Sequence, residues 1–350
     1  MKAGTFIEPR KIVLGDYPMP KLESENDAIL KIIRSSVCGS DLWWFRGITQ
    51  IDANSLTGHE ALGIVEKTGK NVNNIHPGDF VIVPFTHGCG KCAACLAGFD
   101  GNCLNKGNFK NGGYQAEYLN FHNADWALVK IPGKPTDYSD DQLNDFLALA
   151  DVMATGYHAA ASAEVTPGDT VVVLGDGAVG LCGIIAAKLR GAKRIIAMSR
   201  HRDRQKLAIE FGATDIVPER GREAVQRVMS LTNHNGVDAI LECVGTNQSI
   251  QTALAIGRPG TIVGRVGVPH NSDVDTSAMF WKNIGIRGGT ASVTTYDREI
   301  LLDAVLNGKI HPGRVFTKSF KLDQIQEAYE AMDRREAIKS LLLVDDINSN

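Results

Sequence analysis

The sequence lacks the features that mark membrane-bound, secreted or nucleic-acid-binding proteins. No apolar run approaches the ~18 residues of a membrane-spanning helix, and no signal-peptide core follows residues 1–4. Positive charge is not in excess, since 37 Lys and Arg stand against 40 Asp and Glu, which gives a formal net charge of −3. A protein that binds nucleic acid over a broad surface is normally basic. We therefore expect a soluble cytoplasmic protein that binds neither a membrane nor nucleic acid.

Cysteine is too rare for a disulfide-rich scaffold, and it is unevenly distributed. Four of the seven cysteines lie in one short segment, at Cys89, Cys92, Cys95 and Cys103. A secreted disulfide scaffold would be shorter and more uniformly rich in cysteine. The spacing C-x2-C-x2-C-x7-C predicts a metal site, and four thiolates without a histidine are typical of structural zinc. A ferredoxin-like iron–sulfur cluster is the main competing hypothesis, but the x7 gap and Leu104 do not match the C-x3-C-P ending of that motif.

The pattern of apolar residues changes along the chain, and a length of 350 residues suggests two domains. Up to about residue 130, short apolar strands are separated by turns, as in a small antiparallel barrel or sandwich. From Thr166 onward, apolar strands alternate with helices, which predicts a parallel sheet built from right-handed βαβ units. Near the end, an amphipathic helix carries four apolar residues on one face: Leu322, Ile325, Tyr329 and Met332.

A glycine-rich turn joins the apolar strand 170–174 to a helix, and its sequence GDGAVG matches G-x-G-x-x-G. In that setting the glycines permit a tight turn, and the free N–H groups at the helix start can bind a pyrophosphate. The alternative is a glycine turn that binds nothing. We interpret the turn as a dinucleotide site formed by Gly175, Gly177, Ala178, Val179 and Gly180.

The end of the next strand indicates which nicotinamide cofactor binds. NAD-binding sites place an Asp or Glu about 20 residues beyond the glycines, where it binds the ribose hydroxyls. Here the strand 195–198 ends in Ser199 and Arg200, with Arg204 close behind. A hydroxyl and a guanidinium suit a 2′-phosphate, which a carboxylate would repel. We therefore expect NADP(H) to be preferred over NAD(H), although a solvated basic helix start would carry the same residues.

Further metal-binding residue types occur in Val37-Cys38-Gly39-Ser40-Asp41, in Gly58-His59-Glu60-Ala61 and at Asp151. Spacing alone does not join them. Together with Pro77-Gly78-Asp79-Phe80-Val81, the cysteine segment, the glycine turn and the helix before Ser340, they give a chain that resembles the zinc-dependent medium-chain dehydrogenase/reductase superfamily, alcohol dehydrogenase type, over essentially its whole length. Within that superfamily the pattern is most similar to the microbial NADP-dependent secondary-alcohol dehydrogenases.

The resemblance implies a two-domain α/β fold. Residues 1–151 and 291–350 would form a GroES-like β-barrel catalytic domain, which carries a structural zinc lobe at residues 88–104. Residues 152–290 would form an inserted Rossmann dinucleotide-binding domain with a doubly wound parallel sheet. The active site would lie in the cleft between the domains, and the family suggests a homodimer or homotetramer.

The resemblance also implies two zinc ions per chain, one structural and one catalytic. The catalytic ion would be held by Cys38, His59 and Asp151, with Glu60 beside it as an alternate ligand or neighbouring carboxylate. Ser40 would relay a proton, but the histidine that completes this relay in several relatives is replaced by Trp43. We expect Trp43 instead to line and narrow the substrate pocket. Weaker similarity suggests nicotinamide contacts at Thr155, Val266 and Val268.

The implied activity is hydride transfer between NADP(H) and small to medium alcohols, ketones or aldehydes. A thiolate, an imidazole and a carboxylate leave the fourth zinc position open, as in catalytic zinc sites. The first alternative is an NAD-linked polyol or amino-alcohol dehydrogenase of the same fold. The second is a zinc-ribbon nucleic-acid-binding protein that uses the cysteine segment and the basic stretch 188–206. The net charge and the order of Cys38, His59 and Asp151 oppose it.

Overall fold

The computed structural model describes residues 1–105, 112–269, 273–291 and 295–345. The chain divides into two compact units, Met1–Asp151 with Ser292–Asn350, and Val152–Ala291. Ala291 thus lies in the second unit, whereas position 291 was predicted to begin the return to the first. No helix among these residues is long and apolar enough to cross a membrane.

The first unit is built mainly from strands. These are β1 (Lys2–Glu8), β2 (Lys11–Asp16), β3 (Ala28–Ser36), β4 (Ala61–Thr68), β5 (Phe80–Val83), β6 (Tyr118–Phe121), β7 (Val129–Ile131), β14 (Phe316–Lys321) and β15 (Lys339–Leu343). Its α-helices are α1 (Asp41–Phe45), α2 (Ala93–Leu96), α3 (Ala124–Ala127), α4 (Asp140–Ala148), α11 (Thr295–Leu306) and α12 (Ile325–Asp333).

The main sheet of this unit, in its described part, has the order β14-β15-β3-β4-β5-β7, and β6 pairs with β3 beside it. All its pairs are antiparallel except β14–β15. Ser35 on β3 is opposite Ala61 on β4, and Ser36 is opposite Leu341 on β15. The carboxyl end of β3 therefore meets the amino ends of β4 and β15. Cys38, His59 and Glu60 lie at this edge of the sheet.

Buried apolar side chains hold the first unit together. One cluster contains Ile32, Val65 and Val81 from the three central strands. A second cluster packs α12 against α1 and β15, with Phe45 and Tyr329 in contact at 5.4 Å between ring centroids. The predicted apolar face of the last helix is confirmed for Ile325, Tyr329 and Met332, which are buried on α12, whereas Leu322 is buried in the 3-10 turn just before that helix.

The second unit alternates strands and helices. Its strands are β8 (Thr170–Leu174), β9 (Arg194–Met198), β10 (Asp215–Ile216), β11 (Val237–Glu242), β12 (Gly257–Arg265) and β13 (Gly285–Gly288). Its helices are α5 (Val152–Ser162), α6 (Ala178–Leu189), α7 (Arg202–Phe211), α8 (Gly221–Leu231), α9 (Asn247–Ile256) and α10 (Thr276–Lys282).

These strands form a parallel sheet whose order, over the described residues, is β10-β9-β8-β11-β12-β13. The order reverses between β8 and β11, which confirms the predicted doubly wound sheet. Strands β8 and β11 are almost entirely buried, as expected when helices cover both faces. In such sheets ligands bind beyond the carboxyl ends of the strands, at the reversal. The glycine turn follows β8 at that point.

Candidate active site and metal centres

The four clustered cysteines of the cysteine lobe (residues 88–104) converge on one point. Their sulfur atoms all lie within 4.8 Å of one another, with 3.4 Å from Cys92 to Cys95 and 3.9 Å from Cys92 to Cys103. All seven cysteines of the chain are free thiols, so these contacts are not disulfides. With Zn–S bonds of about 2.3 Å, neighbouring sulfurs around tetrahedral zinc lie about 3.8 Å apart. The four thiols therefore fit one zinc ion.

Backbone amides point at these sulfur atoms. The N–H groups of Leu104 and Cys95 donate to the Sγ of Cys92 at 3.4 and 3.5 Å, and the N–H of Asn105 donates to the Sγ of Cys103 at 3.3 Å. The bonds from Cys95 and Leu104 lower the pKa of Cys92 to about 6. They stabilise the thiolate, which is the form that binds a metal.

A second cluster combines a thiol, an imidazole and two carboxyl groups, from Cys38, His59, Glu60 and Asp151. A ligand atom of each lies within 4.8 Å of those of the other three. The Oδ2 of Asp151 is 3.3 Å from the Sγ of Cys38 and 3.5 Å from the Nε2 of His59. Ligand atoms around tetrahedral zinc are roughly 3.3–3.8 Å apart. The fold thus brings together residues that spacing alone could not join.

Local structure explains this convergence. Cys38 follows β3 by two residues, and His59 and Glu60 precede β4 at the same edge of the sheet. Gly58 has φ +84°, and a Cβ there would lie 2.4 Å from the Gln115 side chain. Only glycine accommodates both the left-handed backbone and this close approach, so Gly58 makes possible the turn that presents His59.

Asp41 orients two of the clustered groups, a role that the sequence motif did not reveal. Its buried carboxylate lies 3.3 Å from the Nδ1 of His59 and accepts the backbone N–H of Cys38 at 3.0 Å. A metal-binding imidazole is usually fixed through its other nitrogen in this way, which leaves Nε2 facing Asp151. Burial lowers the pKa of His59, but Asp41 and Asp151 outweigh burial and raise that pKa well above its usual value.

Lys339 is the second residue that sequence reasoning missed. Its Nζ lies 2.6 Å from the Oε1 of Glu60 and donates to the Val37 carbonyl at 3.1 Å, with both charged side chains at most 1% exposed. The only sequence signal is a lysine that begins a strand whose last three residues are leucines. Oε2 of Glu60 is buried and has no hydrogen-bond partner among the described residues. Because such an oxygen normally has a partner, it fits a nearby cation.

Replacing Lys339 with methionine should lower the free energy of unfolding by about 3–5 kcal/mol, because Glu60 would keep a buried charge without its partner. Adding Glu60→Gln should restore most of this loss. Chemical denaturation of the zinc-loaded proteins measures both effects. The matched control is Lys318→Met, whose ion pair with Glu336 is exposed and should contribute less than about 1 kcal/mol. Equal losses from the two lysine variants would contradict this account of the buried pair.

Ser40 and Trp43 lie at the helix that follows Cys38. Ser40 is the exposed N-cap of α1, and its hydroxyl makes no capping hydrogen bond. Trp43 is partly exposed one turn further, whereas Trp44 stacks edge-on with Phe6 at 5.4 Å. Trp44 is likewise partly exposed, whereas Phe45 is buried against Tyr329. The assignment of Trp43 to the substrate pocket stays a prediction.

The glycine turn of the second unit has the geometry that a dinucleotide site needs. Gly175 has φ +113°, and a Cβ at Gly180 would lie 2.1 Å from the Gly175 carbonyl oxygen. A Cβ at Gly177 would meet no atom within 4 Å, so open space faces the backbone there. Ala178 and Val179 begin α6 directly behind it. A pyrophosphate can approach this helix start closely.

Ser199, Arg200 and Arg204 converge on Asp176, the second residue of the glycine turn. Ser199 Oγ donates to Asp176 Oδ2 at 2.8 Å, and the Arg200 N–H donates to the same atom at 3.3 Å. Arg204 Nη1 lies 3.3 Å from Asp176 Oδ1. Burial raises the pKa of Asp176, but Ser199 and Arg204 outweigh burial and lower that pKa. The expected phosphate-binding residues are together, around a carboxylate that sequence reasoning overlooked.

The other residues predicted to contact the nicotinamide belong to the same unit. Thr155 is buried on α5. Val266 and Val268 follow β12, and the N–H of Val266 donates to the Glu242 carbonyl at 2.9 Å. Since parallel strands end at one edge of the sheet, Val266 and Val268 share that edge with the glycine turn. Their contact with a cofactor stays a prediction.

Comparison with known families gives two matches that together span most of the chain. Residues 24–133 match the family described as alcohol dehydrogenase GroES-like domain. Residues 178–305 match the family described as zinc-binding dehydrogenase.

Individual relatives match over nearly the whole chain. It is 33% identical to zinc-type alcohol dehydrogenase B of Aspergillus flavus, over 97% of this chain and 80% of that protein. It is 32% identical to the NADP-dependent isopropanol dehydrogenase of Clostridium beijerinckii, over 97% and 96% of the two chains. The solved structure of alcohol dehydrogenase TADH from Thermus sp. ATN1 superposes with a TM-score of 0.89 at 31% identity, covering 99% of this chain and 100% of that one.

Proposed function

Because the chain belongs to the zinc-dependent medium-chain dehydrogenase/reductase superfamily, we propose that it transfers a hydride between NADP(H) and small to medium alcohols, ketones or aldehydes. The observation that carries the proposal is the convergence of Cys38, His59 and Asp151. A set of three different protein ligands is typical of catalytic zinc, which keeps one position for substrate. The four thiols of the cysteine lobe form instead a complete structural set.

The donor chemistry of the mixed cluster supports this assignment. A Cys38 thiolate and an Asp151 carboxylate would balance the two charges of zinc, and neutral His59 would complete the set. When bound, zinc supplies Lewis acidity toward an alcohol or carbonyl oxygen. Asp41 would fix the His59 ring through Nδ1. Lys339 engages one oxygen of Glu60, and the other has no hydrogen-bond partner among the described residues, so Glu60 would be an additional ligand or a neighbouring charge.

Side chains near the cluster suggest how substrate is handled. The Ser40 hydroxyl can donate and accept a proton, lies two residues from Cys38 and is exposed. The Phe85 ring lies 6.1 Å from the His59 ring, and with Trp43 it would give the pocket an apolar lining. Such a lining favours secondary alcohols and ketones with small apolar groups over polyols, whose many hydroxyls would lose water without finding partners.

The preference for NADP(H) rests on the residues at the end of β9. Ser199, Arg200 and Arg204 would bind the 2′-phosphate, and the helix start at Gly177 would bind the pyrophosphate. The nicotinamide ring of the cofactor supplies the hydride chemistry. The NADP dependence named for the Clostridium beijerinckii relative supports the same choice for this chain.

Substrate and cofactor are tested together by offering the zinc-loaded protein secondary alcohols, primary alcohols and polyols with NADP+ or NAD+. We expect the highest kcat/KM with a secondary alcohol and NADP+. Faster turnover of polyols with NAD+ would instead support the polyol dehydrogenase alternative. Salt-dependent binding of DNA, with no oxidation of any alcohol, would overturn the enzyme assignment.

An Arg200→Asp variant should lower the ratio of kcat/KM for NADP+ to that for NAD+ by at least about tenfold, because one charge-assisted contact is lost and a repulsive charge is gained. Steady-state kinetics with one alcohol and both cofactors measure this ratio. Lys206→Asp is the control, since Lys206 is exposed on α7. An unchanged ratio for Arg200→Asp would remove Arg200 from the phosphate-binding set.

A further inference from the structure

The basic residues that follow β9 lie around the carboxylate of Asp176. Asp176 lies between Ser199 and Arg204, and its side chain is 15% exposed. Ser199 and Arg204 are among the residues proposed to bind the 2′-phosphate of NADP(H). A bound phosphate would therefore compete with Asp176 for the Ser199 hydroxyl and the Arg204 guanidinium.

A third guanidinium, from Arg220, belongs to the same charge cluster. Burial lowers the pKa of Arg220, repulsion from Arg200 lowers it further, and attraction to Asp176 opposes both. His201 also acts on Asp176 through its charge. Arg200, Arg204 and Arg220 bring three positive charges to this cluster against the one negative charge of Asp176, which leaves two positive charges before His201 is counted. A phosphate monoester carries about −1.5 to −2 charges near neutral pH. The cluster can thus still accept a phosphate, although Asp176 reduces the attraction.

Asp176 also supplies what an NAD site needs. NAD-binding sheets present a carboxylate at the end of the second strand, and it accepts hydrogen bonds from the ribose. Here that strand is β9, and its end carries Ser199 instead. Asp176 brings a carboxylate to the same place from the glycine turn, since its Oδ2 lies 2.8 Å from the Ser199 Oγ.

We propose that Asp176 determines how strongly the enzyme discriminates between the two cofactors. Its carboxylate repels the 2′-phosphate of NADP(H) and competes for the phosphate's donors, and it is available to accept a hydrogen bond from the ribose of NAD(H). Removal of its charge therefore increases the preference for NADP(H). This inference rests on the proposed dehydrogenase function and its cofactor site.

The test isolates the 2′-phosphate from catalysis. Adenosine 2′,5′-bisphosphate and adenosine 5′-monophosphate differ only in that phosphate, and isothermal titration calorimetry gives the Kd of each for the zinc-loaded, full-length protein. The variants are Asp176→Asn and Asp176→Ala. Asp203→Asn is the matched control, because it removes a carboxylate from the first turn of α7 whose side chain is 95% exposed.

The measured quantity is the Kd of the monophosphate divided by that of the bisphosphate. We expect this ratio to rise about tenfold or more in both Asp176 variants, because a like charge a few ångströms from the phosphate is removed, and to stay near the native value in Asp203→Asn. The rise should shrink at about 0.5 M salt as the charges are screened. A ratio that falls, or that rises no more than in the control, would overturn the inference.

Failure of the cofactor proposal has a different signature. If the native protein binds the bisphosphate no better than the monophosphate, the proposed NADP(H) preference is wrong, while a rise of the ratio in Asp176→Asn would still support the role of Asp176. Both ligands are measured on the same preparation of each variant. Partial unfolding reduces their binding equally and cancels in the ratio, and Asp176→Ala provides the answer if Asp176→Asn does not fold.

Discussion

Replacing His59 with alanine is expected to abolish turnover while leaving one of two zinc ions bound. His59 is one of three side chains proposed to hold the catalytic ion, and its Nε2 lies 3.5 Å from Asp151. The contribution of a Lewis-acid metal is several kcal/mol, so kcat/KM should fall at least about a thousandfold. The four thiols of the cysteine lobe are untouched and should keep their ion. Steady-state kinetics and elemental analysis of the same preparation measure both effects.

A matched control is His76→Ala, because His76 is an exposed histidine of the same unit with a side chain 66% exposed. It should retain native turnover and two zinc ions per chain. Two outcomes would contradict the assignment of the mixed cluster. One is a native protein that contains a single zinc ion, and the other is a His59→Ala variant that keeps two ions and native turnover.

A Cys92→Ser variant should lose the structural zinc ion and with it much of the stability of the first unit. Cys92 has two sulfur neighbours within 3.9 Å and accepts hydrogen bonds from Cys95 and Leu104. In small zinc domains the binding energy, about 10–16 kcal/mol, is folding energy, and a serine hydroxyl replaces a thiolate poorly. We expect Tm to fall by at least about 5 °C. Calorimetry and elemental analysis provide the measurement.

The control for this variant is Cys243→Ser, which makes the same change in the second unit, whereas the cysteine lobe belongs to the first. It should retain two zinc ions per chain and lose far less stability. Cys92→Ser should keep the ion of the mixed cluster and should therefore turn over substrate at temperatures below its own unfolding. Native Tm and native zinc content in Cys92→Ser would show that the four thiols do not hold a metal.

Local motifs were predictable from the sequence because their parts are close in the chain. The four cysteines lie within 15 consecutive residues, so their spacing alone indicates a metal site. The glycine turn is similar, since the left-handed Gly175 and the tightly packed Gly180 belong to one strand–turn–helix unit. The parallel sheet also followed from local patterns, because its buried strands are continuous apolar runs.

Long-range pairing was not predictable from spacing. Cys38 and Asp151 are far apart in the chain, and the register of the sheet and the position of α4 bring them within 3.3 Å. Only the family resemblance joined them at the level of sequence. The antiparallel register of β15 with β3 likewise carries Lys339 to Glu60, and no periodicity in either segment indicates that partnership.

The directions in which side chains point were also not predictable from the sequence. Asp41 and Asp176 both stand in motifs that were recognised, yet their roles depend on where their carboxylates point. Asp41 reaches the His59 ring and the Cys38 backbone. Asp176 turns toward Ser199 and modifies the charge of a site that was predicted from its basic residues alone. The role of a carboxylate within a recognised motif therefore depends on the direction of its side chain, which the motif itself does not give.

The central claim, that zinc held by Cys38, His59 and Asp151 is needed for alcohol oxidation, is tested most directly by one titration. The less tightly held zinc is removed with a chelator, and formation of reduced cofactor from NADP+ and a secondary alcohol is followed as zinc is restored. We predict that activity disappears when one ion per chain remains and returns in proportion to the second ion. Undiminished turnover by protein that retains only the ion of the cysteine lobe would contradict the claim.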